Sequence, residues 1–254
     1  MAGVNVYGYP AGTPFDWEPC SVGTFRTKET AADEDPQPGD RFDPIAIYFP
    51  LECSSFDARD ESFIERARLA LNATLSHGVE AAIAGGVAQS NNRFLGDTNF
   101  VALAGAAVSP AVGLGYLENA GASRTGREFM IHATPAVVAA WGFGSELLND
   151  NSDINEETPE AGIRTRNGTP VVSGSGYIGV HPLGGGGLPG PDDTKDWVFA
   201  TGPLEVRIGD GPRVTIGESL DRSINLVTVY PERFVVYDWD TALQVGVLID
   251  WSLQ

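Results

Sequence analysis

The most regular stretch of this chain runs from Asp57 to Gly86. Phe63, Ile64, Ala67, Leu71, Thr74, Leu75, Val79, Ala82 and Ile83 recur there at helical spacing and make one apolar stripe. Asp57, Asp60 and Glu61 put negative charge at the start, where the helix dipole favours it. Arg59, Glu65, Arg66 and Arg68 take polar positions. Gly78 costs about 1 kcal/mol inside a helix, and Gly85-Gly86 is the stop that a C-terminal glycine supplies. The rest of the chain does not continue in this style. With 31 glycines and 17 prolines in 254 residues, strands, turns and extended segments are favoured over a helical bundle.

Outside the long helix, regular structure is short. Residues 45–53 (IAIYFPLEC) are β-branched and aromatic and read as a strand. A second, shorter helix is expected near 110–120 and a short strand at Phe129–His132. Thr134-Pro135 then opens a helix through Trp141, with Thr as N-cap and Pro in the first turn. After residue 160 the pattern is β: GIRTRNGTPVVSG, WVFATGPLEVRIG, NLVTVYPERFVVYDWD and ALQVGVLIDW. HPLGGGGLPGPDD between the first two is a loop. The expected class is α+β, as one large domain or two small ones.

Two regions suit contacts rather than a core. Residues 1–20 carry Tyr7, Tyr9, Phe15 and Trp17 among frequent Gly and Pro, and suit an extended segment lying on its own domain or a neighbour. Residues 29–43 (ETAADEDPQPGDRFD) and 149–160 (NDNSDINEETPE) are acidic loops.

Charge removes several functions. Asp and Glu number 34 against 16 Lys and Arg, a formal net charge of −18, and Lys28 and Lys195 are the two lysines. Such a chain is a poor partner for nucleic-acid phosphates or an anionic membrane. No run of apolar residues reaches membrane-spanning length, and the first twenty residues do not read as a secretory signal. Cys20 and Cys53 make no metal spacing and read as free buried thiols. His77, His132 and His181 form no HExxH and read as structural or surface residues.

Chemical motifs are few. Gly174-Ser175-Gly176-Tyr177-Ile178-Gly179 matches GxGxxG after a strand, but VHPLGGGGLPGP follows where a nucleotide site needs a helix. The carboxylates cluster in loops, with nothing to single out a glycosidase pair. No GxSxG occurs. Asn72-Ala73-Thr74 and Asn167-Gly168-Thr169 match glycosylation acceptors without a secretory context. No catalytic residue, cofactor or metal is expected.

Five segments, in order, resemble one family. They are Val79-Glu80-Ala81-Ala82-Ile83-Ala84-Gly85-Gly86 with Gln89 and Phe94-Leu95-Gly96 beyond it, and Phe129–His132 followed by Thr134-Pro135. Asn167–Val172 (NGTPVV), Trp197–Gly202 (WVFATG) and Asn225–Val236 (NLVTVYPERFVV, with Glu232-Arg233) complete the set. Together they resemble the tailed-phage major capsid proteins of the Hong Kong 97 type over residues 45–254. Ala200-Thr201-Gly202 departs from that family's Gly-Asp, and no long helical N-terminal region that could serve as a fused scaffold is present.

The resemblance implies a Hong Kong 97-like capsid fold in four parts. These are an N-terminal arm (1–20), an extension loop (21–50), a peripheral domain (51–125) with a spine helix over 58–85, and an axial domain with returning peripheral strands (126–254). It implies a self-assembling icosahedral shell of pentamers and hexamers around DNA held without sequence-specific contacts, made in the host cytoplasm and located in the virion. A separate scaffold, portal or decoration proteins would be further partners, and no membrane is involved. Subunit contacts would fall on Tyr7, Tyr9, Phe15, Trp17, Phe25, Lys28 and Phe42. Some members cross-link through a Lys and an Asn; Lys28 is read as an ordinary exposed lysine. The rival readings are an encapsulin-like nanocompartment shell, a head-decoration or tail protein and, last, a β-rich hydrolase. For a DNA-filled shell, net negative charge would keep the wall from adhering to its contents.

Overall fold

A computed structural model describes residues 21–22, 44–54, 61–87, 92–124, 129–142, 148–150, 163–183, 189–216, 226–240 and 242–253. The chain divides into two compact units. Unit 1 takes the segments up to Ala82, Val87–Asn92 and Val206–Tyr237, and unit 2 takes Ile83–Gly86, Arg93–Glu205 and Asp238–Gln254.

Unit 1 is a helix on a sheet. Helix α1 spans Glu61–Gly85; residues 58–60 of the expected helix lie outside the described residues. Its Phe63, Ala67, Leu71, Thr74, Leu75, Val79 and Ala82 are buried, as the spacing predicts, whereas Ile64 is half-buried. The sheet holds β1 (Ser21–Val22), β2 (Ile45–Tyr48), β3 (Leu51–Ser54), β10 (Leu204–Ile208), β11 (Arg213–Ile216) and β12 (Leu226–Trp239). Strand β12 is its spine and pairs with all of them except β1, which adds to β3.

The expected strand over 45–53 is two pieces in one ladder. Tyr48 faces Glu232 and Leu51 faces Val229, so β2 and β3 keep a single antiparallel register along β12. Pro50 interrupts it because proline has no N–H to donate. The gap is bridged by Phe49 N–H donating to the Pro231 carbonyl at 3.1 Å. Ile45, Ile47, Val229, Val235 and Tyr237 alternate onto one face and are almost fully buried. That face meets α1: a Cβ on Gly78 would stand 3.0 Å from Ile47 Cγ2, and Tyr237 Oη reaches the Ala82 carbonyl at 3.5 Å. The mid-helix glycine is therefore where the sheet comes closest.

Unit 2 is built on a five-stranded sheet in the order β4 (Val101–Ala102), β13 (Gln244–Asp250), β9 (Lys195–Thr201), β5 (Met130–Ala133) and β8 (Val171–Ser173). The β4–β13 and β5–β8 pairs are parallel and the two between them antiparallel. A separate hairpin pairs β6 (Leu148–Asp150) with β7 (Ile163–Thr165). Every residue of β13, and all of β9 after Lys195, is buried, because both sheet faces are covered. On one face Ile131, Ala133, Val198, Ala200, Val245, Val247 and Ile249 pack with α2 (Pro110–Arg124) and α3 (Pro135–Gly142). On the other, Trp197 and Phe199 meet the Phe100 ring edge-on at 5.4 and 5.6 Å.

The expected helix near 110–120 extends to Arg124, and its Gly113 lies toward the sheet. A Cβ there would stand 2.7 Å from Ile249, so only glycine lets α2 approach this closely. WVFATGPLEVRIG, read as one β stretch, breaks into β9 and β10 at Gly202-Pro203. Past α1 the chain turns at Gly86, with φ +72°, the left-handed conformation glycine adopts without strain. Leu95 N–H then donates to Ile83 O at 2.8 Å and Gly96 N–H to Ala84 O at 3.3 Å, satisfying carbonyls a helix end leaves open.

Candidate functional site

The residues expected at subunit contacts, Tyr7, Tyr9, Phe15, Trp17, Phe25, Lys28 and Phe42, all lie outside the described residues. What the structure presents instead is three buried polar knots and a set of exposed apolar side chains.

The first knot fixes the β7–β8 turn. Thr165 and Thr169 hydroxyls donate to the two oxygens of Glu118 on α2, at 2.5 and 3.0 Å, and Thr169 N–H donates to Thr165 Oγ1 at 3.2 Å. Gly168, at φ +89°, makes the tight turn between them. Glu118→Ala removes both acceptors from hydroxyls that are buried, so a loss of about 2 kcal/mol is expected, read from the urea midpoint at constant m. Glu118→Gln, which keeps one oxygen, should lose less.

The second knot holds the loop beyond α1. Gln244 Nε2 on β13 lies 2.7 Å from Phe94 O, 3.2 Å from Leu95 O and 2.8 Å from Asp97 Oδ1. Asp97 also pairs with Arg93 at 3.5 Å.

The third is centred on His132 of β5, which is wholly buried. Its Nε2 lies 2.9 Å from Thr201 Oγ1 and its Nδ1 3.2 Å from Tyr177 Oη. Burial pulls the imidazole down to about 4. Tyr177 belongs to the GxGxxG run, which forms a single 3-10 turn, Ser175–Tyr177, leading into Gly179 at φ +71° rather than into a helix. Sequence reasoning passed over this knot. The available signal was a histidine inside an apolar strand, a position that demands hydrogen-bond partners.

Lys195 sits between two carboxylates, 2.8 Å from Asp192 Oδ2, which is exposed, and 3.8 Å from Asp250 Oδ2, which is buried. The Lys195 hydrogen bond, with help from Thr194, holds Asp192 down at about 2. Among the described residues no group of His, Cys, Asp and Glu is placed to hold a metal ion. No helix of the described residues is long and apolar enough to cross a membrane.

Among the described residues, six of the nine large exposed apolar side chains fall into three pairs, with Leu69, Val101 and Leu253 apart from them. Val206 and Ile208 point from β10, whose residues from Glu205 to Ile208 are all exposed and which, among the described residues, pairs with β12 alone. Val112 and Tyr116 stand one turn apart on α2, and Ile178 and Leu183 flank the turn after Tyr177. Apolar surface of this kind is typical of faces that meet other molecules.

No family model matches the chain, and no curated protein matches it by sequence. Solved structures match it by fold. A chain from Gordonia phage Cozz superposes with a TM-score of 0.50 at 16% identity, over 91% of this chain and 80% of that one. The encapsulin of the holo-SrpI complex from Synechococcus elongatus PCC 7942 gives 0.48 at 12% identity, over 97% and 84%. The capsid of an empty GTA particle gives 0.48 at 13% identity, over 97% and 87%. The first of these likenesses, carried across both units, agrees with the order of segments in the sequence: the chain has the Hong Kong 97-type fold.

Proposed function

We propose that the chain is the shell subunit of a tailed phage, many copies of which close an icosahedral capsid around DNA. The observation that carries this is the fold, matched over most of its length to a phage chain. Identical subunits close a shell when heterologous contacts close by symmetry, and the energy is spread over large interfaces rather than one site. In this reading unit 1 supplies the peripheral part with α1 as spine, and unit 2 the axial part. Residues 1–20 act as an arm reaching a neighbour and residues 21–50 as the extension loop, with the acidic stretch 29–43 at its tip. The exposed apolar residues of β10 and α2 become buried between subunits. Catalysis has no part in this role.

The test is to express the chain alone and examine it by size-exclusion chromatography and electron microscopy. Shells, hexamers or pentamers are expected. A monomer at every concentration, also with phage lysate added, would sink the proposal. Nuclease-resistant DNA in particles from infected cells is expected; a protein cargo instead would favour a nanocompartment. Removing residues 1–20 should abolish closed particles while leaving the unfolding transition nearly unchanged, and intact shells from the truncated chain would remove the arm from the scheme.

A further inference from the structure

The sheet face of unit 2 that carries Trp197 and Phe199 is closed in part by coil, and one stretch of that coil is tied to a titratable group. Gly174 N–H donates to Ala133 O at 3.2 Å, Tyr177 meets His132, Gly179 N–H donates to Asp196 Oδ1 at 3.2 Å, and Leu183 N–H donates to Gly96 O at 2.6 Å. The protons in this network can be placed. The Thr201 hydroxyl donates to Gly202 O at 2.8 Å, so its oxygen accepts from His132 Nε2–H. Nδ1 is then bare and accepts from Tyr177 O–H. Each proton is used once, and the imidazole is neutral. A second proton on Nδ1 would face the Tyr177 hydroxyl proton and leave a cation buried.

Among the described residues, the charged groups near it have other partners. Strand β8 has no titratable residue. On β9, Lys195 is occupied by Asp192 and Asp250, and Asp196 takes Gly179 N–H. Asp240, against Gly202 beside Thr201, takes Ala242 N–H. The loop before Phe100 brings Asp97, which takes Arg93 and Gln244. The strap itself brings Tyr177 and His181, whose Nδ1 lies 2.9 Å from the Pro182 carbonyl.

We infer that Gly174–Leu183 is an acid-releasable strap across this face of unit 2, with His132 as its latch. With the strap down, burial holds the imidazole at about 4. With it lifted, water restores the ordinary value near 6.5. The open form therefore binds the extra proton. Between those two values each unit fall in pH shifts the balance toward opening by up to tenfold. Asp196 opposes this. Burial raises its carboxyl in the closed form, so protonating it at low pH favours closure and tempers the response. The strap carries Ile178 and Leu183 outward, 58% and 68% exposed, so lifting it rearranges an apolar surface in mild acid.

Hydrogen exchange followed by mass spectrometry on the full chain, from pH 7.5 to 4.5 and corrected for intrinsic rates, tests this whether or not the chain forms shells. Peptides over 174–183 should lose protection up to tenfold per unit below pH 6.5, while those over 197–201 and 245–249 keep theirs. His132→Gln should flatten the response and Asp196→Asn should steepen it. Strap protection independent of pH, protection lost at the same pH in the central strands, or an unchanged response in H132Q would each overturn the proposal. If H132Q does not fold, C2–H exchange at His132 in the unsubstituted chain decides. Its protonation midpoint should track strap opening, and two separate midpoints would overturn the latch.

Discussion

Trp141→Ala is expected to cost unit 2 about 3–5 kcal/mol, the range for truncating a buried Trp. Trp141 is fully buried on α3 among the residues that meet the sheet. Its indole N–H also donates to the Pro110 carbonyl at 2.9 Å, at the first residue of α2. Helix α2 contains Gly113, Gly115 and Gly121 and has little intrinsic stability, so it relies on packing. The substitution removes both the packing and the bond that fixes where α2 begins. Trp141→Phe should fall between, since it keeps most of the volume and leaves the Pro110 carbonyl without its donor. Val138→Ala, at a half-buried position on the same helix, should cost far less. Urea unfolding measures all three, and a loss under about 1 kcal/mol for Trp141→Ala would contradict the packing described.

Gly246→Val should have an effect of the same order by the opposite route. Gly246 sits in the buried strand β13. A Cβ there would lie 2.6 Å from the Val198 carbonyl oxygen and 2.7 Å from the Phe100 ring. The ring can turn aside, but the carbonyl belongs to the pairing of β9 with β13 and cannot yield without breaking the ladder. Overpacking costs about 1–3 kcal/mol when side chains can adjust. Here backbone must move, so a loss above that range and little soluble folded protein are expected. Gly246→Ala should show the same defect in weaker form. Wild-type stability in either variant would mean that β9 and β13 are not paired in this register.

Legibility in the sequence was greatest where pattern and structure obey the same period. The apolar stripe of α1 and the Gly85-Gly86 stop need no tertiary information, and neither does Pro135 as the first residue of α3, although the Thr134 hydroxyl expected to cap that helix makes no capping bond. It was weaker where a neighbour decides. Gly78 reads as a helix weakness until Ile47 is seen beside it. The stretch over 45–53 reads as one strand, and only the pairing with β12 shows Pro50 splitting it into two pieces of one register. His132 had no motif, because its partners are 45 and 69 residues away in the chain. The fold family was legible only as an order of segments, since shell contacts leave no short signature of the kind a metal or nucleotide site imposes.

The interleaving of the two units bears on the order in which the chain can fold during synthesis. Unit 1 draws its helix from residues before Ala82 and its central strand β12 from residues after Val206. Unit 2 places β13, made after the other described strands, between β4 and β9. Neither sheet can close while β12 and β13 are still inside the ribosome, and pairings this distant in sequence form slowly. Interrupted translation products would hold α1 with no sheet to cover it and β9 with an open edge. They would therefore be cleared by proteases or chaperones before they could compete with full-length chains.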